Sequence, residues 1–444
     1  MHTMKRHIAT SALVAVALVF GACDLLEVEN PNSLEEGNLN DPSSAQAMAN
    51  GLKGSLARGM SYQLAPYGMA TDELTWIGSR DAWQQLDFGN LDDPNNEFSD
   101  LAYPFLAEAY WLSGEYIERI EGFRDEGTLP SESILVETYF YGAITYASVA
   151  DVYDDYVTGS SKREGGTRIS ETEGISMRSL YDRALTWIEN AQALNEEAAE
   201  PTLQAELKAL EARVRFGRSL WDKLNPLETG EDALVNNSEA KVAAEEALGM
   251  LAADGAYELP IEGGSSFDSY VAGQVNGRRE MRIGDAYVEG TEEGNTFEEM
   301  TFEDPIEEVI HPYVQEIVTT RYPSSGTPTA DITVVSAREM HLIIAEHELA
   351  NGNMGAFDAA INELRAINDL SSYDGPSSDG INRIALLEQS RQANLFFQGR
   401  RLKDLYRFQE TTPEWVSNAS AVESPGTFLP ITASEIDQNE NVDR

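Results

Sequence analysis

Apolar residues recur at intervals of four and three along most of this chain, the rhythm of an α-helix with one buried face. Leu203, Leu207, Leu210, Val214, Gly217 and Trp221 form one such stripe, and Leu135, Tyr139, Gly142, Tyr146, Val149 and Tyr153 another. Leu180, Ala184, Trp187, Ile188, Ala191 and Leu194 mark a third helix, and Val242 to Leu251 a shorter fourth. Gly142 and Gly217 lower helix propensity inside their stripes, so each predicts a neighbour at close approach. Ser336 with Glu339 forms a capping box ahead of the core positions Met340, Ile343 and Ile344, and Asn351-Gly352-Asn353 ends that helix. The next carries Phe357, Ala360, Ile361, Leu364 and Ile367 on its inner face.

Two antiparallel helices joined by a short turn bury each other's stripes, which makes the αα-hairpin the natural unit. Residues 131 to 157 pair with 177 to 195, 202 to 222 with 238 to 252, and 336 to 350 with 355 to 369. A fourth pair combines 42 to 60 with 101 to 121. Each has the length of a tetratricopeptide unit, and Tyr181, Ala184 and Ala191 fall where that repeat places such residues. The expected fold is therefore all-α for the most part: a tetratricopeptide-like helical-repeat scaffold, with hairpins near 131–252 and 336–410. Residues 62–100 and 259–335 read as loop-rich regions laid on it, with Tyr313 to Arg321 and Asp331 to Val335 as short strands. A long irregular insertion in a compact body usually carries function.

The N-terminus has a different pattern. Lys5 and Arg6 precede an apolar run from Ile8 to Phe20, then Gly21-Ala22 and the chain's single cysteine, Cys23. That run is shorter than the roughly 20 apolar residues a spanning helix needs. Residues 1–22 thus read as a lipoprotein signal peptide, Cys23 as the lipidated first residue, 23–40 as an acidic tether, and 41–444 as one body. An ordinary secretory signal with a chance cysteine is the other reading.

Charge narrows the range of partners. Aspartate and glutamate number 76 against 31 lysines and arginines, a formal net charge of −45. Such a field repels nucleic acid and anionic surfaces, and its self-repulsion is weakest where salt screens it. One cysteine permits neither a disulfide framework nor a cysteine zinc site.

Catalytic motifs are missing: there is no phosphate-binding glycine loop, G-x-S-x-G elbow or H-E-x-x-H pattern. His341 and His347 are six apart and fall on different sides of a helix, which precludes a shared metal from that helix. Asp151, Asp154 and Asp155, or Asp92 and Asp93, offer oxygen ligands for calcium or form a solvated acidic turn. Neither an enzyme nor a cofactor is expected. Trp111, Trp187 and Trp221 sit in helical stretches as core. Tyr67, Trp76, Trp83 and Trp415 lie in irregular segments, where an aromatic ring either takes the C–H face of a sugar or a peptide, or pins a loop to the scaffold.

The run Arg391-Gln-Ala-Asn-Leu-Phe-Phe-Gln-Gly-Arg-Arg-Leu-Lys-Asp-Leu-Tyr-Arg407 resembles the signature helix of the SusD/RagB family of outer-membrane nutrient-capture lipoproteins. Arg391, Leu395, Gly399, Arg401, Asp404, Leu405 and Arg407 match it, while Ser390, Asn394 and Gln398 stand where the family usually has glutamates. Ala345-Glu346-His347 and Ile361-Asn362-Glu363-Leu364-Arg365 resemble its A-E-A and I-N-x-x-R helices. Leu429-Pro430-Ile431 is similar to its closing segment, and Thr71-Asp72-Glu73 to its early D-E. The resemblance implies a SusD-like body, anchored by lipid to the cell outer membrane and exposed at the surface. Such a protein binds oligosaccharide or peptide and hands it to a TonB-dependent, SusC-like β-barrel transporter. A lipid-anchored helical-repeat adaptor for envelope proteins is the alternative.

Overall fold

The computed structural model describes residues 38–158, 165–169, 176–198, 200–225, 227, 232–261, 269–290, 297–322 and 330–442. The signal segment, Cys23 and nearly all of the tether lie outside them. Among the described residues, four helix pairs build the body. Helix α1 (Ala45–Met69) and α3 (Glu97–Asp125) form the first, with the short α2 (Asp81–Asp87) between them. Helix α4 (Glu132–Val152) packs on α5 (Met177–Ala198), and α6 (Pro201–Leu224) on α7 (Ser238–Leu248). These are the pairs the periodicity predicts, arranged as a predominantly helical, tetratricopeptide-like stack.

Helix α4 is apolar on nearly every face from Ile134 to Val152, as a helix surrounded by others must be. It touches α1, α3, α5 and α6. Its glycine does what the stripe predicts: a Cβ on Gly142 would lie 2.7 Å from Ile117 of α3 and 3.2 Å from the Trp187 ring of α5. At the first crossing, Gly59 of α1 sits where a Cβ would be 3.0 Å from the backbone of Phe105 and Leu106. Asn96 caps α3 by accepting from the Phe98 and Ser99 amides at 3.1 and 3.2 Å.

Among the described residues, three two-stranded antiparallel ribbons decorate this stack. Strand β1 (Leu74–Trp76) pairs with β3 (Met281–Ile283), β2 (Ala256–Leu259) with β6 (Ile332–Ser336), and β4 (Val288–Gly290) with β5 (Phe297–Met300). The expected strand at 331–335 is β6, but residues 313–321 are helical: α8 spans Pro312–Thr320. Pro312 presets the first helical turn, and Tyr313, Val314, Ile317 and Val318 bury one helical face. Residues 62–100 likewise hold more helix than expected, since α1 runs on to Met69 with Pro66 inside it.

The fourth pair is α9 (Ala337–Ala350) with α10 (Met354–Ile367), followed by α11 (Arg383–Asn394), α12 (Arg401–Arg407) and α13 (Ala433–Gln438). Ser336 caps α9 through the Glu339 amide at 3.2 Å, while the Glu339 carboxylate turns to Arg400 at 3.0 Å instead of closing the box. The signature run is not one helix. It breaks at 395–400, where Phe397 and Gly399 take left-handed backbone (φ 56° and 70°).

Two buried carboxylates and a half-buried third tie loops to the scaffold by accepting one backbone N–H each: Glu73 from Phe397 (2.8 Å), Asp87 from Trp76 (3.1 Å) and the half-buried Asp154 from Phe428 (2.9 Å). Burial pushes them up to about 8, 7 and 7 respectively, against the pull of those N–H groups. Each therefore holds a proton that the unfolded chain releases, and the stability it lends is present at low pH and fades as pH climbs toward 7 to 8. The melting temperature is expected to fall between about pH 5 and 8, and Asp154→Asn to flatten that fall. A melting temperature that rises across the window contradicts this.

Candidate functional site

The residues that carry the family resemblance converge in space, and they hold the scaffold together. Asp404 accepts from Arg391 Nε at 2.9 Å and Arg407 Nε at 2.8 Å. Arg407 also grips Glu346 through both terminal nitrogens, one at 3.0 Å, and Glu346 accepts the Val235 amide at 2.7 Å. Two guanidinium groups and two carboxylates thus neutralise each other in the interior. Asp72 takes Arg401 bidentately at 2.8 and 2.7 Å, and Arg365 does the same for Asp304 at 2.9 and 2.6 Å. Where the family has a glutamate, Asn394 accepts from Arg338 at 3.0 Å, and the carboxylate for Arg338 comes from Asp254 on the opposite side at 2.7 and 2.8 Å.

The aromatic candidates are placed unevenly. Trp83 is 0% exposed and stacks on Phe98 with centroids 3.7 Å apart; Tyr67 is 1% and Trp415 8% exposed. Burial keeps these three rings off the protein surface: Tyr67 lies within α1, Trp83 within α2, and Trp415 packs against the Tyr406 ring. Trp76 is half-buried against the main core beside the exposed Ile77. The acidic candidates are engaged too: Asp151 is enclosed by cations and Asp154 holds the Phe428 amide. Among the described residues no group of three His, Cys, Asp or Glu side chains is placed to hold a metal.

A cleft of about 510 Å³ opens elsewhere, between the first half of α3, the segment after α4, and α13. That volume suits a small ligand. Tyr103, Phe105, Tyr110 and Trp111 come from α3, Tyr156 and Thr158 from the segment after α4, and Ser434, Glu435 and Gln438 from the C-terminal stretch. Rings supply apolar area and the opposite wall supplies carboxylate, amide and hydroxyl groups.

Beneath this floor the aromatic packing continues inward: Tyr103 meets Tyr156 at 5.0 Å, Tyr110 meets Tyr156 edge-on at 5.3 Å, and Tyr110 stacks on Tyr146 at 4.3 Å. Outward, Phe105 lies 4.1 Å from Tyr62, which stacks on Tyr270 at 4.3 Å, with the Arg58 guanidinium 3.9 Å above the Phe105 ring. Burial raises the Tyr103 and Tyr156 phenols well above the ordinary tyrosine range, so both keep their protons as donors. Neither hydroxyl has a hydrogen-bond partner among the described residues. Both hydroxyls are closed off from solvent, so the aromatic surface the cleft offers a ligand is that of the half-buried Phe105 and Trp111 rings.

Ser434 fixes the cleft's far wall by donating to Asp100 from its amide (2.9 Å) and hydroxyl (2.6 Å), while Asn439 spans the Gly166 carbonyl (2.8 Å) and Glu435 (2.7 Å). Sequence reasoning missed this site, placing Trp111 in the core and singling out neither Tyr103 nor Tyr156 for it. The available signal was density: four aromatic rings within nine residues, 103 to 111.

No family model and no curated protein sequence matches the chain. Solved structures do. A SusD superfamily protein from Bacteroides thetaiotaomicron superposes with a TM-score of 0.61 at 14% identity, over 91% of this chain and 99% of that one. A laminarin-binding SusD-like protein gives 0.59 at 14% identity, over 91% and 98%. A SusD-like carbohydrate binding protein from Bacteroides vulgatus gives 0.55 at 14% identity, over 84% of each chain. Over some nine-tenths of its length, this chain has the fold of the SusD superfamily proteins.

Proposed function

We propose that this protein is a non-catalytic glycan-binding protein that captures oligosaccharide in the α3–α13 cleft and passes it to a SusC-like TonB-dependent barrel in the outer membrane. The observation that carries the reading is a cleft of about 510 Å³ with the half-buried Phe105 and Trp111 rings on one wall and Ser434, Glu435 and Gln438 on the other. Rings meet the C–H faces of a pyranose, and the carboxylate, amide and hydroxyl groups of the opposite wall meet its hydroxyls. The laminarin-binding and carbohydrate-binding proteins that share the fold support a glycan over a peptide. Lipid attachment at Cys23 would hold the body at the membrane beside the barrel. Release into a transporter favours an affinity near the micromolar range.

Calorimetry against a panel of β-glucans, α-glucans and casein peptides tests this. Trp111→Ala is expected to weaken glycan binding by about 2- to 10-fold, the worth of one aromatic contact at about 0.5–1.5 kcal/mol. Tyr156→Phe should leave it unchanged, since that hydroxyl is closed off from the cleft. Failure of the folded protein to bind any glycan overturns the reading, and exclusive binding of peptide redirects it. Co-purification from membranes identifies the barrel, and Cys23→Ala should release the protein to the soluble fraction.

A further inference from the structure

A second, smaller cavity of about 30 Å³ lies inside the scaffold, where α1, α4, α6 and the turn before α12 meet. Gln63, Tyr67, Asp151, Arg213, Gln398 and Arg400 line it. The space suits a water molecule or an ion of similar size.

Charge around it does not balance. Asp151 accepts from Lys403 at 2.6 Å and Tyr181 at 2.7 Å on one oxygen, and on the other from Arg213 at 3.0 Å, with Arg400 at 4.0 Å. Arg400 also holds Glu339 at 3.0 Å. Three cationic side chains, Arg213, Arg400 and Lys403, thus share two carboxylates, which leaves one positive charge over in a chain whose net charge is −45. Burial pushes Asp151 up, but Lys403, Arg213 and Arg400 overcome it and hold the carboxyl below its usual range. Burial likewise sets the Lys403 ammonium below its usual range despite Asp151.

Two donors on the wall are unused. Gln63 is 3% exposed; its carbonyl oxygen takes the Tyr153 hydroxyl at 2.5 Å, so its amide nitrogen is left as a donor with no partner among the described residues. The Tyr67 hydroxyl is equally buried and unpartnered, and burial keeps it protonated. Acceptors on the wall are Asp151, whose two oxygens are engaged, and the free Gln398 Oε1.

We propose that this cavity binds one small monovalent anion of the halide class, held by Gln63 Nε2, the Tyr67 hydroxyl and the guanidinium groups of Arg213 and Arg400. A water satisfies the two donors but leaves the surplus charge buried; a halide satisfies both and favours the ammonium form of Lys403. The ion joins α1, α4, α6 and the turn before α12, independently of anything bound in the aromatic cleft.

Crystals in sodium bromide, measured at the bromine absorption edge, should show an anomalous peak between Gln63 and Arg400; featureless or water density there overturns the proposal. In solution the protein should melt higher in sodium chloride than in sodium gluconate at equal ionic strength, because gluconate is too large to enter. Equal melting in the two salts also overturns it. Tyr67→Phe, which keeps the ring packing, should weaken halide affinity by about tenfold or more, the worth of a hydrogen bond to a charge. Unchanged halide dependence in that variant removes Tyr67 from the site and counts against the proposal.

Discussion

Glu346→Ala is expected to remove about 3–5 kcal/mol of folding stability, the usual result of leaving a buried charge without its partner. Glu346 is 0% exposed and meets Arg407, Arg391 and the Val235 amide; without it two guanidinium groups share Asp404 alone. Both guanidinium groups also lie against the Phe216 ring, at 5.0 and 5.7 Å, so neither has water to turn to. Chemical denaturation measures the loss, with the exposed Arg80–Glu97 pair as the control, where Glu97→Ala should cost under about 1 kcal/mol. A Glu346→Ala protein as stable as the parent would show that the cluster contributes nothing.

Trp83→Ala should also destabilise by about 3–5 kcal/mol, through the cavity left beside Phe98, while the folded fraction keeps its glycan affinity. The contrast with Trp111→Ala separates a ring that holds the scaffold from one that meets ligand. Denaturation and calorimetry on both proteins read the two effects independently. Weakened affinity at unchanged stability in Trp83→Ala would return that ring to the binding surface.

The helix pairs were legible because burying one face imposes a spacing that survives in any sequence with the same architecture. Leu203 to Trp221 and Leu135 to Tyr153 display it directly, and Gly142 betrays the close crossing it permits. The motif residues were legible for a related reason: Arg391, Asp404, Arg407 and Glu346 form one charge-balanced cluster in which no member is exchangeable alone. The cleft was not, since its walls come from residues near 105, 157 and 435, which only the tertiary fold brings together. Trp415 misled because an irregular segment can still be buried, and Trp83 because its segment folds into the short helix α2 with the ring turned inward. Residues 313–321 misled because β-branched and aromatic residues suit strands, whereas Pro312 and a helical burial pattern decided otherwise. The break at 395–400 rests on left-handed backbone at Phe397, a residue type that gives no warning of it.

The C-terminal wall of the cleft bears on the order in which the chain assembles. Leu429 bonds to Val152 and Asp154, and the amide of Phe428 reaches Asp154, 274 positions earlier in the chain. Helix pairs formed by neighbours in sequence can collapse as soon as they are made, but such distant contacts close slowly. A chain emerging residue by residue would thus complete its stack first and its cleft last. Binding competence should therefore lag behind helix formation during refolding.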